Sequence, residues 1–345
     1  AAHALAAIAE LGLDDADVWL HAAPMFHLAD AWATFAVTWV GGAHVFLPRF
    51  EPSRVLDAME AERVTITNLV PTMLTLLLAE PEVGRRDLRA LRRLLSGGAP
   101  IAPETVRRIV EVFRCEYVQT YGMTETSPYL TMSIPKAAMR GRPPEEQLRW
   151  RARTGRPFLG VELRVLRDDG TPVRDDDREV GEIVVRGDGV TPGYWKRPEE
   201  TAAAIRDGWL YTGDLATIDA EGSVNIVDRR KDVILTGGEN VYSTEVEHVL
   251  AAHPAVLEVA VVGVPDPTWG EAVKAFVTLR RGTDASAVEL MDFCRRELAG
   301  FKCPRVVEFL DELPRLGSGK IAKRELRDAA RTAAPGGTGT TDEHR

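Results

Sequence analysis

Only three cysteines, Cys115, Cys294 and Cys303, occur in 345 residues. The number is odd, no Cys-x-x-Cys pair exists, and no Cys/His ligand spacing joins them, which excludes a disulfide framework and argues against a structural zinc site. A cytoplasmic, reducing compartment is the expectation. Seven histidines form no His-Glu-x-x-His, and His248 and His253, five apart, fall on different faces of a helix. There is no apolar run of membrane-spanning length, and no basic n-region precedes an apolar h-region. Neither a membrane span nor a signal peptide is therefore expected. Positive charge is in deficit as well: 43 Lys and Arg against 52 Asp and Glu leave a net charge of -9. A chain without surplus cations has few counterions to release from nucleic acid or anionic membrane, which argues against both as principal partners. The local basic runs Arg85-Arg86, Arg92-Arg93 and 149–156 are read as solvated faces and turns.

What is present is an alternation of strand and helix. Strands at 44–47, 65–69, 93–95 and 116–120 interleave with helices at 52–63, 71–79 and 103–113 through short connections, the pattern of a wound, parallel α/β sheet. In such sheets ligands sit outside the carboxyl ends of the strands. Two polar segments leave strand ends there: Ser96-Gly97-Gly98-Ala99-Pro100, and 119–125 with Gln119, Thr120, Tyr121, Gly122, Thr124 and Glu125. Residues 134–153, polar and Arg-rich, read as a surface excursion. Beyond Thr154 come short strands with turn signals at 162–166, 181–186, 215–218 and 224–227, an antiparallel β subdomain. A third texture follows the charged segment Asp228-Arg229-Arg230-Lys231-Asp232, with strands at 233–235, 257–264, 271–279 and 305–310 and helices at 244–251 and 285–297. The expected fold is thus α/β: a large N-terminal domain over 1–229, a small α+β domain over 230–332, and a Gly/Thr-rich disordered tail over 333–345. Residues 1–12 read as the back half of a helix.

Close to the end stands Leu313-Pro314-Arg315-Leu316-Gly317-Ser318-Gly319-Lys320. A Walker loop needs glycine where Pro314 stands and Ser or Thr where Ile321 stands, so Lys320 is not a P-loop lysine. A lysine on a short Gly/Ser loop can still be delivered to an anion held elsewhere. Singly, the remaining candidates have structural explanations: Thr124-Glu125 as a helix cap, Asp214 as a turn residue, His27 as a core histidine, Gly237-Gly238 as a tight turn.

Their order is what informs. The stretches 23–27, 95–100, 119–127, 181–195, 208–215, 228–247 and 313–326 together resemble the adenylate-forming superfamily of acyl-CoA synthetases, adenylation domains and firefly luciferase. The match runs from about residue 21 to residue 327, and the Thr236 to Tyr242 and Val264 to Glu271 segments look like the fatty-acyl or aryl-CoA ligase branch. The resemblance implies ATP-dependent activation of a carboxylic acid to an acyl adenylate, followed by thioester formation with coenzyme A.

The roles it implies are chemically reasonable. A carboxylate must attack an anionic α-phosphate, so positive charge is needed where negative charge accumulates. Glu125 would hold Mg2+, Thr124 would donate to phosphate, and Lys320 would bridge carboxylate and α-phosphate. Asp214 would accept the ribose diol with Arg229 beside it. Tyr121 would face adenine, with Gly97, Gly98, Ala99, Gln119, Thr120 and Gly122 shaping the nucleotide wall. His27 would gate the junction of acyl pocket and thiol tunnel. Gly237, Gly238 and Glu239 would line the pantetheine channel after rotation of the small domain about a hinge at Lys231.

In one respect the chain departs from the family pattern. The Ser/Thr/Gly-rich loop ending Pro-Lys-Gly, which clasps the β- and γ-phosphates, is absent from residues 1–22, which implies a chain truncated at its N-terminus and a sheet with an exposed edge. No carrier domain follows Arg327, the pattern of a freestanding enzyme. Two other readings share the same motifs: an acyl-AMP ligase that loads a carrier protein, and a catalytically impaired fragment that keeps nucleotide or partner binding. The identity of the acid and the oligomeric state are not encoded in these motifs.

Overall fold

The computed structural model describes residues 1–332. The 333–345 tail, read as disordered, lies outside the described residues. The chain divides into two compact units: Ala1–Lys231 together with Gly317–Lys320, and Asp232–Leu316 with the residues from Ile321 onward. Whereas the sequence reading cut the chain after residue 229 and counted Lys320 in the small domain, the cut falls after Lys231 and the lysine loop groups with the first unit.

In the first unit, strands β1 (Val18–His21), β2 (Ala43–Phe46), β3 (Ile66–Leu69), β4 (Arg93–Gly97), β5 (Glu116–Gly122), β6 (Tyr129–Met132) and β7 (Arg156–Pro157) form one sheet in the order β2-β1-β3-β4-β5-β6-β7. The first five strands in that order run parallel, and the β5–β6 and β6–β7 pairings are antiparallel. Strand order reverses at β1, so the carboxyl ends of β1 and β3 border a crevice of the kind that holds ligands. β2 is an edge strand whose last residue, Phe46, is 56% exposed.

Alternation along the central strands supplies two cores. Leu20, Leu94 and Tyr117 face one layer and their chain neighbours Trp19, Leu95 and Val118 the other. Period-two geometry sends successive side chains to opposite faces, and helices cover both. One face packs on α3 (Pro52–Ala61), α4 (Pro71–Ala79) and α5 (Pro103–Phe113) through Leu56, Leu74 and Val106. The other packs on α1 (Ala2–Leu11) and α2 (Leu28–Val40) through Leu11, Trp32 and Val37. Each fully buried aliphatic side chain contributes about 1.5–3 kcal/mol relative to exposure. Helices α3, α4 and α5 each begin on a proline, Pro52, Pro71 or Pro103, whose missing N–H costs nothing in the first turn.

The 134–153 stretch, read from its polarity as a surface excursion, carries helical structure. It contains α6 (Ala137–Arg140) and α7 (Pro144–Ala152), and no residue of α7 is fully buried. Arg85 is exposed, as expected of a solvated face, but other arginines of the basic runs are held in ion pairs. Arg92 Nε donates to the buried carboxylate of Asp17 at 2.8 Å, Arg93 to Glu116 at 2.9 Å, and Arg153 to Asp177 at 2.6 Å. Arg93 and Glu116 are register partners on the adjacent strands β4 and β5, so that ion pair links neighbouring strands.

A second sheet of the same unit joins β8 (Val161–Leu166), β9 (Gly181–Gly187), β10 (Ile205–Arg206), β11 (Trp209–Ile218) and β12 (Val224–Arg229), with the short helix α8 (Pro198–Ala204) between β9 and β10. All its pairings are antiparallel, and Val165, Ile183, Val185 and Leu210 form its apolar face with Leu130 of β6.

The second unit has a sheet of β13 (Ile234–Thr236), β14 (Glu239–Val241), β15 (Val256–Asp266), β16 (Gly270–Leu279) and β17 (Val306–Phe309). Helices α9 (Ser243–Ala251) and α10 (Ala287–Glu297) cover one face through Val246 and Leu290, and α11 (Lys323–Thr332) covers the other through Leu326. Among the described residues no helix is long and apolar enough to cross a membrane.

Candidate active site

The carboxyl ends of β4 and β5 are cross-tied. Gly97 pairs with Thr120, and a Cβ on Gly97 would stand 2.8 Å from the Thr120 carbonyl oxygen, so only glycine fits. Thr120 Oγ1 donates to the Ser96 carbonyl at 3.0 Å and Gln119 Nε2 to the Ala99 carbonyl at 3.1 Å. Tyr117, buried one turn of the pleat below, donates its hydroxyl to Gln119 Oε1. Residues 97–99 thus share one wall with Gln119 and Thr120 at these strand ends.

Gly98 has φ +85°, and a Cβ there would meet Lys320 Cε at 2.7 Å and Nζ at 3.2 Å. The lysine therefore lies along bare backbone. Its loop is anchored by Thr72 Oγ1, near the start of α4, donating to the Gly319 carbonyl at 2.9 Å. Burial first, and then the positive charge of Arg229, lower the Lys320 pKa, while Asp214 opposes the shift. A desolvated ammonium without a full counter-charge is prepared to receive an anion.

Asp214 is 4% exposed and occupies both of its oxygens: Oδ2 accepts the Tyr121 hydroxyl at 2.6 Å and Oδ1 accepts Arg229 Nε at 3.1 Å. Asp214 and Arg229 face each other in the β11–β12 register. Tyr121, expected to offer its ring to a base, uses its hydroxyl to fix the acid. Burial, then the Asp214 charge, push the Tyr121 pKa well above 10.0, so the phenol remains a donor.

After β5 the chain turns sharply. A Cβ on Gly122 would clash with the Pro128 carbonyl, and Thr124–Thr126 form one 3₁₀ turn. Thr124 is exposed; Glu125 is half-buried, with Oε1 accepting the Tyr194 hydroxyl at 3.0 Å. His27 is the N-terminal cap residue of α2 and is half-buried, with its pKa lowered by burial and then by Lys320. A core histidine is found instead at His21, 2% exposed, with Nδ1 2.7 Å from Asp30 Oδ2 and Nε2 2.9 Å from His44 Nδ1.

Three of the expected residues lie in the second unit. Gly237 and Gly238, with φ +60° and +84°, form the two-residue turn between β13 and β14, and Glu239 starts β14. Gly237 N–H donates to the Trp269 carbonyl at 2.8 Å, and a Cβ on Gly237 would strike the indole ring. Lys231, exposed in the 3₁₀ turn Arg230–Asp232, is the last residue of the first unit before the cut. Sequence reasoning did not assign roles to Thr72 or Tyr194. Tyr194 stands inside the 181–195 stretch with no spacing signal of its own.

The metal question reduces to one side chain. Among the described residues no group of three or more His, Cys, Asp and Glu could hold an ion, so these residues offer no protein cage. A half-buried carboxylate with one oxygen held by a phenol fits Mg2+ bound chiefly through nucleotide phosphates and water, the usual manner for that ion.

Residues 1–195 match the family model described as AMP-binding enzyme, and residues 245–320 match that of the AMP-binding enzyme C-terminal domain. The chain belongs to the AMP-binding enzyme family. It is 43% identical to a feruloyl-CoA synthase of Amycolatopsis sp over 89% of its length and 60% of that relative's. The fatty acid–[acyl-carrier-protein] ligase ScoC of Streptomyces coeruleorubidus is 38% identical over 93% of this chain and 62% of its own. Among solved structures, ATP-bound MatB from Rhodopseudomonas palustris superposes with a TM-score of 0.85 at 34% identity, covering 95% of this chain and 63% of MatB. The chain thus spans about 60% of the length of the curated relatives it matches.

Proposed function

We propose that this AMP-binding protein activates an aryl or fatty carboxylic acid with ATP and transfers the acyl group to coenzyme A, in the cytoplasm. The observation that carries the reading is Lys320: a desolvated cation laid along Gly98, within the fields of Asp214 and Arg229, at the carboxyl ends of a parallel sheet. In the first half-reaction a carboxylate oxygen bonds to the α-phosphorus of ATP and the bond to pyrophosphate breaks. Lys320 balances the charge that accumulates on the oxygens at that phosphorus, and Thr124 donates its hydroxyl to phosphate. Asp214 orients the ribose, Arg229 adds a donor, and the Gly97 to Ala99 backbone with Gln119, Thr120, Tyr121 and Gly122 forms the nucleotide wall. Mg2+ on Glu125 supplies further neutralisation of the phosphates when bound.

In the second half-reaction a thiol sulfur bonds to the acyl carbon and AMP leaves. His27 gates entry to the acyl pocket, Lys231 is the hinge, and Gly237, Gly238 and Glu239 serve the thiol arm. The bare backbone at Gly237 and Gly238 suits passage of a narrow pantetheine chain. Small-molecule thiol and carrier-protein thiol share this chemistry, and similarity to both a CoA synthase and a carrier-protein ligase supports each acceptor.

The test is ATP–pyrophosphate exchange with a panel of aryl and fatty acids, followed by addition of CoA or of a phosphopantetheinylated carrier protein. Exchange with at least one acid, discharged by CoA, is the expected result. Discharge only by the carrier protein would replace the acceptor. A folded chain that binds nucleotide but shows no exchange with any acid would leave a binding fragment and refute the ligase reading.

A further inference from the structure

The residues after β9 form a strap that is pinned at both ends. Thr191 N–H donates to the Glu125 carbonyl at 2.7 Å, and a Cβ on Gly189 would come within 3.1 Å of the Thr126 carbonyl, so the strap lies directly on the 3₁₀ turn that bears Glu125. Further along, Tyr194 N–H donates to Thr201 Oγ1 of α8 at 2.9 Å, and a Cβ on Gly193 would strike the Thr201 methyl at 2.6 Å. The Tyr194 backbone is therefore fixed by α8 while its hydroxyl reaches Glu125 Oε1 at 3.0 Å.

We propose that Tyr194 is a positioning residue for Glu125, holding one carboxylate oxygen so that the other is presented to a divalent cation carried by the nucleotide. This rests on the ligase reading only for the purpose the cation serves. The physical argument is local. A glutamate has three free torsions, and an unrestrained carboxylate in a half-exposed site loses rotamer entropy on meeting a cation. A phenol donating to one oxygen removes much of that loss beforehand and leaves Oε2, which makes no hydrogen bond among the described residues, to coordinate. Tyr194 is 39% exposed, so deleting its hydroxyl removes no core packing.

The experiment measures Mn2+ affinity of the full chain saturated with α,β-methylene-ATP, by electron paramagnetic resonance of the free ion. Tyr194→Phe is expected to weaken Mn2+ binding about 10-fold and Glu125→Gln at least as much, the range seen for groups that orient metal ligands. The double variant should bind no more weakly than Glu125→Gln alone, since a residue acting through Glu125 has nothing to orient once that carboxylate is gone. A purely structural Tyr194 would move neither number in this pattern. Unchanged affinity in Tyr194→Phe, additive losses in the double variant, or no Mn2+ binding by the wild-type complex would each overturn the inference. Binding that follows the expected pattern in a chain with no exchange activity would refute the ligase reading and leave the Tyr194 assignment standing.

Discussion

The Tyr121 hydroxyl lies 2.6 Å from Oδ2 of Asp214, a hydrogen bond that joins two different sheets of the same unit. Arg229 holds the other oxygen at 3.1 Å, so a nearly buried carboxylate is fixed from both sides before any ligand arrives. A ribose diol that bonds to Asp214 must share it with the phenol and the guanidinium, which makes the acid a pre-oriented acceptor.

Tyr121→Phe should therefore leave a buried carboxylate one donor short. The expected cost is about 1–2 kcal/mol in unfolding free energy, measured by urea denaturation. The KM for ATP should rise several-fold in the exchange assay, and an unchanged KM would separate Asp214 from ribose binding.

Lys320→Met should slow pyrophosphate exchange about 100- to 1,000-fold, the loss typical of one charge-stabilising group. Thioester formation from supplied acyl adenylate should survive; equal loss of both halves would contradict a lysine that serves only the first. The same substitution should raise thermal stability at neutral pH. Because the folded-state pKa of Lys320 lies below 10.5, its buried charge costs stability while both states are protonated. That cost fades as pH rises from the folded-state value towards the unfolded one. The stability gap between variant and wild type should accordingly narrow under alkaline conditions.

Gly98→Ala tests the contact between lysine and backbone. A side chain at φ +85° costs about 1–2 kcal/mol, and its Cβ would displace Lys320 Cε from 2.7 Å. Exchange should fall at least 10-fold, comparable in direction to Lys320→Met, with the circular dichroism spectrum unchanged. Wild-type exchange in this variant would remove Gly98 from the site.

Acid sensitivity should come from two histidines outside the site. Burial lowers both His3 and His248 from 6.5 to about 4, and the Nε2 atom of each is buried without a hydrogen-bond partner. Between those values the unfolded chain binds protons that the folded chain refuses, so stability present above pH 6.5 is lost as pH falls towards 4. Each contributes up to about 3 kcal/mol of that loss. His248→Leu should flatten the pH dependence of the urea midpoint over this window; an unaltered slope would mean the histidine is protonated in the native state.

Much of the architecture is legible in the sequence because it follows from local patterning. Apolar runs bounded by turns mark β3, β4 and β5, and prolines announce α3, α4 and α5. The helix α7 escaped notice for the same reason: Pro144 to Ala152 has no apolar stripe, and no residue there is fully buried. Arg92, Arg93 and Arg153 look like surface charge because their partners, Asp17, Glu116 and Asp177, are distant in sequence or carry no pattern that singles them out. Tyr194 and Glu125 stand 69 positions apart, and nothing in either neighbourhood announces the other.

The residue types able to do adenylation chemistry, and their order along the chain, are determined by sequence alone, because glycine bends, a Thr-Glu pair and a Gly-Ser-Gly-Lys loop are written in consecutive residues. Tertiary structure decided which of them meet. The union of Tyr121 with Asp214 depends on two sheets coming together, and the placement of Lys320 along Gly98 depends on a loop more than 200 residues away folding back onto β4. Such pairings are set by the packing of whole elements, whose relative positions no local stretch of residues specifies.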